Sequence, residues 1–162
     1  MKACMIIGKA NVGKTLFAVN FAGYLGISRL DIEFTTPNGE IYRRTLSQRE
    51  AVEELTSPNP HHTLGLQRLE IQMPGLKGKK RFALLDTSGL TDGIPEESMI
   101  RRAMAQTLAQ VREAAVILHL IDASSVGKHG AVEAVGQVDW QVAQFGGMRT
   151  GYAILANKMD LP

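Results

Sequence analysis

Gly8-Lys9-Ala10-Asn11-Val12-Gly13-Lys14-Thr15 follows directly on the apolar run Ala3–Ile7 and leads into a stretch where Leu16, Phe17, Val19, Phe21 and Leu25 recur at helical spacing. Gly26 then stands where a helix often stops. A short apolar run before such a loop reads as a strand buried on both faces of a parallel sheet, here the first and central one. Strand, glycine-bounded loop and helix are the context in which this pattern cradles phosphates. Gly8 and Gly13 let backbone N–H groups turn towards an anion, and the helix start adds the positive end of its dipole. Lys14 is placed to reach the outer phosphates of a nucleotide, and the Thr15 hydroxyl suits a magnesium ion. The expected binding segment is therefore Gly8, Lys9, Ala10, Asn11, Val12, Gly13, Lys14, Thr15 and Leu16. The competing reading is a glycine turn that happens to precede a helix.

Asp86-Thr87-Ser88-Gly89 closes a second apolar strand, Phe82–Leu85. It puts a carboxylate at the carboxyl end of the sheet, where open α/β folds bind ligands. Asp86 is expected to hold magnesium through water, and Gly89 to offer its N–H to a terminal phosphate. Alone, such an aspartate is as readily a turn former. Asn157-Lys158-Met159-Asp160 follows the last apolar strand, Tyr152–Ala156.

Between these motifs the pattern alternates. Ile32–Phe34 and Ile41–Thr45 flank Asn38-Gly39, a two-residue hairpin signal. Ser47 with Glu50 forms a capping box that predicts a helix over Gln48–Leu55. Pro58, Asn59 and Pro60 end it and open a loop through His61, His62 and Thr63. Leu64–Met73 and Arg81–Leu85 read as strands joined by a turn from Pro74 to Lys80. Helices are predicted over Pro95–Glu113 and Ala131–Phe145, with a strand over Ala114–Ile121 between them. The alternation implies an α/β fold, a mostly parallel sheet with helices on both faces. His119 lies within a strand and reads as a satisfied core histidine. His61 and His62 read as exposed loop side chains, since they lack partner ligands for zinc.

A chain of 162 residues is one domain's worth, and 44% hydrophobic with 21% charged residues is ordinary globular composition. The net charge of +2 does not argue for nucleic acid. The cluster Lys77, Lys79, Lys80 and Arg81 reads first as a solvated hairpin tip. Cys4 is the one cysteine, so an intrachain disulfide is excluded; it reads as a buried strand thiol in a reducing cytoplasm. No apolar stretch has the length of a membrane span.

The three motifs, in this order, resemble the translation-factor-related P-loop GTPases, most closely the Era and TrmE group, over nearly the whole chain except the segment between the first helix and Thr63. The resemblance implies a P-loop three-layer sandwich that binds GTP and GDP with Mg2+ and hydrolyses GTP as a switch. It implies that Asp160 accepts hydrogen bonds from the guanine ring, that Asn157 and Asp160 reject adenine, and that Lys158 packs over the base. A switch threonine closing over magnesium could be Thr35, Thr36, Thr56 or Thr63. Thr63 is chosen for its spacing to Asp86, with a plain loop residue as the alternative. Residues 29–60 are then an insertion, either a partner surface or a cover for the sheet edge.

Two departures bear on hydrolysis. Leu90 stands where Ras-like relatives carry a water-orienting glutamine, as it does in the Era and TrmE group. Asn11 is expected either to help hold K+ beside the phosphates, supplying charge to the transition state, or merely to turn the loop. The family fold normally continues past the guanine motif with another strand and helix, so the chain 1–162 is expected to be a C-terminally truncated domain with weakened nucleotide affinity. Slow hydrolysis by a switch, with Lys14, Asn11, Thr63 and Gly89 as the catalytic set, competes with a nucleotide-sensing module of low activity. An ATPase or kinase sharing only the phosphate loop is argued against by Asn157–Asp160. An effector protein, RNA or the ribosome is the open choice of partner.

Overall fold

The computed structural model describes residues 1–56, 64–75 and 77–161. Its strands are β1 (Lys2–Ile7), β2 (Arg29–Thr35), β3 (Ile41–Ser47), β4 (Leu66–Gly75), β5 (Gly78–Thr87), β6 (Val116–Asp122) and β7 (Tyr152–Asn157). They form one sheet in the order β3-β2-β4-β5-β1-β6-β7. β5, β1, β6 and β7 run parallel to one another, while β4, β2 and β3 add at one side, each antiparallel to the strand before it in that order. With β2 aligned to those four, the sheet is the mostly parallel one that alternating strands and helices predict.

The helices are α1 (Lys14–Tyr24), α2 (Gln48–Leu55), α3 (Ser98–Glu113), α4 (Val126–His129) and α5 (Ala131–Gly146). β1 shows how they form two outer layers, because successive side chains of a strand point to opposite faces. Ile6 packs with Ala18, Val19 and Ala51 of α1 and α2, with Cys4 against the same cluster. Met5 and Ile7 pack with Leu85, Leu90 and Val111, towards α3 and α5. Cys4 is half-buried rather than fully buried, and desolvation pushes its thiol up to about 11, so it is unreactive at neutral pH.

Some local readings are corrected. The β2–β3 connection is a three-residue loop, since Thr36 N–H donates to Glu40 O and Gly39 N–H to Thr36 O. Pro37 fixes the first corner of a type I turn and Gly39 takes the left-handed position (φ 89°) that completes a bulge, so Asn38-Gly39 does not form the two-residue turn its sequence suggests. The β4–β5 ladder continues to Gly75 opposite Gly78, so Pro74, Lys79 and Lys80 belong to strands and not to a turn. The predicted helix over 131–145 is broken at Gly136 (φ 70°, ψ 170°), whose left-handed backbone no helix accommodates. A 3-10 turn, Ala123–Ser125, and α4 precede it, organised by Asp122 accepting from Ser124 N and Oγ.

The capping box at Ser47 and Glu50 is formed as expected, and α2 is held on α1 through Gln48, whose amide donates to Val19 O and Ile27 O. At its far end the β2–β3 hairpin touches α3. Arg102 donates to Asn38 Oδ1 at 2.7 Å and Gln106 Nε2 to Thr36 O at 3.1 Å.

Candidate functional site

Parallel strands end at a common rim, and β1, β5, β6 and β7 deliver Gly8, Asp86–Gly89, Asp122 and Asn157 to it. The phosphate-loop segment bends tightly there. Asn11 (φ 63°) and Gly13 (φ 93°) are both left-handed, a conformation Asn tolerates and Gly favours. Gly13 then starts α1 with no side-chain cap and no acidic residue in the first turn. The positive end of the α1 dipole therefore faces the loop uncapped by any side chain, which is an arrangement that suits an anion.

Lys14 folds back across this loop and is only 6% exposed, with Nζ donating to Lys9 O at 2.8 Å and Gly8 O at 3.3 Å. Burial drags its pKa down to about 8, against the attraction of Asp86 and Asp139. Asp86 is fully buried and is pushed up to about 6, burial outweighing its bond from Thr15 and the charge of Lys14. Both groups are thus short of counter-charge, and a phosphate beside Lys14 with a divalent cation beside Asp86 would relieve each.

The motifs meet in direct contact. Thr15 Oγ1 donates to Asp86 Oδ2 at 2.5 Å, and Asn157 Nδ2 donates to Val12 O at 2.8 Å. A Cβ on Gly13 would fall 2.6 Å from Asn157 Nδ2, and one on Gly89 would fall 2.5 Å from Ala10 Cα. Glycine at 13 and 89 is therefore required by close approach of the three loops. Asp86 Oδ1 is buried without a hydrogen-bond partner among the described residues. That orphaned oxygen, next to the Thr15 hydroxyl, fits a hard oxygen-seeking cation. Among the described residues no three His, Cys, Asp or Glu side chains cluster as metal ligands. Magnesium is the cation that makes do with one or two protein oxygens, the rest coming from phosphates and water.

The sequence profile of the 50S ribosome-binding GTPase family matches residues 3–158. The chain belongs to this GTPase family. No curated protein sequence matches it significantly. Among solved structures, Era in complex with MgGDPNP and a segment of 16S ribosomal RNA aligns at TM-score 0.61 and 19% identity, over 98% of this chain and 41% of that one. A single-substitution variant of Aquifex aeolicus Era bound to GDP and aluminium fluoride aligns at 0.62 and 20%, over 99% and 42%. The chain spans less than half the length of these Era chains, and at such identity the likeness is one of fold.

The remaining residues around this rim fall as follows. Lys158 sits in the left-handed region (φ 59°), and its Nζ donates to Asp122 Oδ2 at 2.8 Å, so its stem is aimed by an ion pair. Burial of Asp122 is outweighed by that bond and those of Ser124, which hold its carboxyl below the usual range. The sequence reading does not single out Asp122, although it ends an apolar strand just as Asp86 does. Asp160 is exposed, in the turn that closes with Leu161 N–H donating to Lys158 O. Leu16 lies 42% exposed on the first turn of α1. Thr63, His61 and His62 lie outside the described residues.

Leu90 has a role the sequence reading missed. Its N–H donates to Gly8 O at 3.0 Å and its carbonyl accepts from Ala10 N at 3.2 Å, while its side chain is buried with Ile7 and Val111. It is a structural rivet between two loops, pointing into the core. Next to it, Asp92 spans the phosphate-loop segment and α5: Oδ2 lies 3.6 Å from Lys9 Nζ, and Oδ1 accepts from Val138 N at 2.7 Å, just after the Gly136 break. His119 is satisfied on both ring nitrogens, by Asp139 and Tyr152 at 2.8 Å each, as a core histidine should be.

Proposed function

We propose that the chain is a GTP-binding domain, a switch that hydrolyses GTP slowly to GDP and phosphate. The observation that carries this is the three-way contact of loops at one rim, Thr15 with Asp86, Asn157 with Val12 and Gly89 with Ala10. In this reading the N–H groups from Gly8 to Leu16 and the Lys14 ammonium hold the phosphates, while Asn157, Lys158 and Asp160 hold the base. Thr15 and Asp86, the latter through water, would hold Mg2+, with Thr63 as the proposed switch threonine; the ion offsets charge on the phosphates. Gly89, close against Ala10, offers its N–H to the terminal phosphate, so residues 89–94 respond to its presence. Asn11 is proposed to help hold K+ beside the phosphates. Residues 29–60 are proposed as an insertion, and a segment of ribosomal RNA or a ribosomal surface as the partner, following the family's description.

Slow turnover follows from Leu90, which is buried and pinned and so cannot order a water. The same observation favours the second reading, a sensing module with little hydrolysis. Labelled-GDP titration with ADP competition tests the nucleotide: equal competition by ADP and GDP refutes the assignment. Single-turnover GTP cleavage in potassium and in sodium separates the two readings, and Asn11→Ala turning over like the parent in both salts removes the potassium role.

A further inference from the structure

A cavity of about 530 Å³ opens between α3 and α5, beneath the segment that follows Gly89. Leu90 closes its buried end, Met104 and Leu108 of α3 form one wall, and Val142 and Phe145 of α5 form the other. Ile94 stands at the mouth, 86% exposed, beside Leu108 at 52% and Phe145 at 40%. The volume is that of a pocket for a small organic ligand, and an exposed rim of large apolar side chains marks a binding surface.

The charge at this cavity is one-sided. Among the described residues, Arg112 is its single charged lining residue, is exposed, and makes no ion pair or hydrogen bond. Other arginines nearby are committed: Arg149 donates to Val111 O and Ala114 O, and Arg101 to Pro95 O and Glu96 O. Thr91, Gln137 and Gln141 supply neutral polar atoms. An apolar chamber with one uncommitted guanidinium at its edge matches a hydrophobic body carrying a single carboxylate or sulfonate.

We propose that this cavity is a second ligand site, for a small amphipathic anion whose apolar body lies between α3 and α5 and whose charged group meets Arg112. Its occupancy is coupled to the nucleotide, which rests on the switch reading above. Leu90, Thr91, Gly93 and Ile94 line the cavity and follow directly on Gly89, and Asp92 among them links Lys9 to Val138 of α5. Any movement of Gly89 towards a terminal phosphate is delivered to the cavity's mouth.

The test uses 1-anilinonaphthalene-8-sulfonate as the fluorescent probe, with decanoate and decylammonium as competitors of equal chain length and opposite charge. One equivalent of probe is expected to bind, and decanoate to displace it at least tenfold better than decylammonium. Arg112→Glu, at an exposed position that folding does not need, should weaken the probe at least tenfold and invert the preference between competitors. Leu108→Glu, also exposed, should abolish probe binding while labelled GDP still binds. If Arg112→Glu and the parent bind alike, or both competitors act equally, the site is refuted as a generic sticky surface. The nucleotide-free chain tests the cavity even if GDP fails to bind, so the two readings fail separately. Where GDP does bind, probe affinity should differ at least threefold between GDP and a non-hydrolysable GTP analogue, and equal affinity refutes the coupling. By reciprocity the probe must then shift nucleotide affinity by the same factor.

Discussion

Replacing Lys14 with methionine should stabilise the nucleotide-free chain at pH 7 while removing its response to guanine nucleotide. The side chain is 6% exposed and its pKa falls from 10.5 to about 8, chiefly by desolvation. At ~1.36 kcal/mol for each tenfold change, keeping the ammonium charged in the folded chain costs about 3 kcal/mol. Methionine has similar length and no charge to desolvate. Two hydrogen bonds to Gly8 O and Lys9 O are lost, but Gly8 O keeps its bond from Leu90 N and Lys9 is partly exposed to water, so a net gain of about 2 kcal/mol is expected. For a domain of this size that is a rise in melting temperature of roughly 4–8 °C. The pH dependence has a definite sign. Below about 8 both states hold the proton and the penalty is complete; between about 8 and 10.5 the folded state has released it and the unfolded state has not, so stability rises with pH. The advantage of the variant should therefore shrink from pH 7 to pH 10. Thermal melts with and without GDP and magnesium, at several pH values, read all of this. A variant that melts below the parent at pH 7, or a difference that stays constant with pH, would refute the reasoning.

Gly89→Ala places a Cβ against the Ala10 backbone and should cost about 1–3 kcal/mol, with weaker labelled-GDP binding; an unchanged denaturant midpoint contradicts the close approach. Asn157→Ala removes the bond to Val12 O and a base contact together, so GDP affinity should fall roughly 10- to 100-fold, read by titration. Tyr152→Phe leaves His119 Nδ1 without its partner inside the core and should lower stability by about 1–2 kcal/mol, visible as a lower melting temperature.

The parts legible in the sequence were those where one residue type has one physical use. Gly13, Lys14 and Thr15 after an apolar run, and Asp86 closing another, mark a candidate site because no core packing explains them, and the fold brings them together. Ser47 and Glu50 fix a helix start by two local bonds. What escaped were arrangements decided by distant partners or by a competing neighbour. Pro37 outweighed the Asn38-Gly39 signal by fixing the first corner of the turn. Gly136 broke a periodic helix where Lys9 and Asp92 approach, 2.8 and 3.0 Å from the Cβ it lacks. Leu90 looked like a missing catalytic group, and only the fold shows it as a core side chain bonded to the opposite loop. Asp122 carried the same strand-end signal as Asp86, but its partner Lys158 lies 36 residues away.

The hairpin β2–β3 rests its tip on α3 through Asn38 with Arg102 and Thr36 with Gln106. These two grips lie one helical turn apart, so they resist both sliding and rolling of the helix. A pull on the β2–β3 hairpin would therefore be felt first at Arg102 and Gln106, on the side of α3 that the hairpin tip touches.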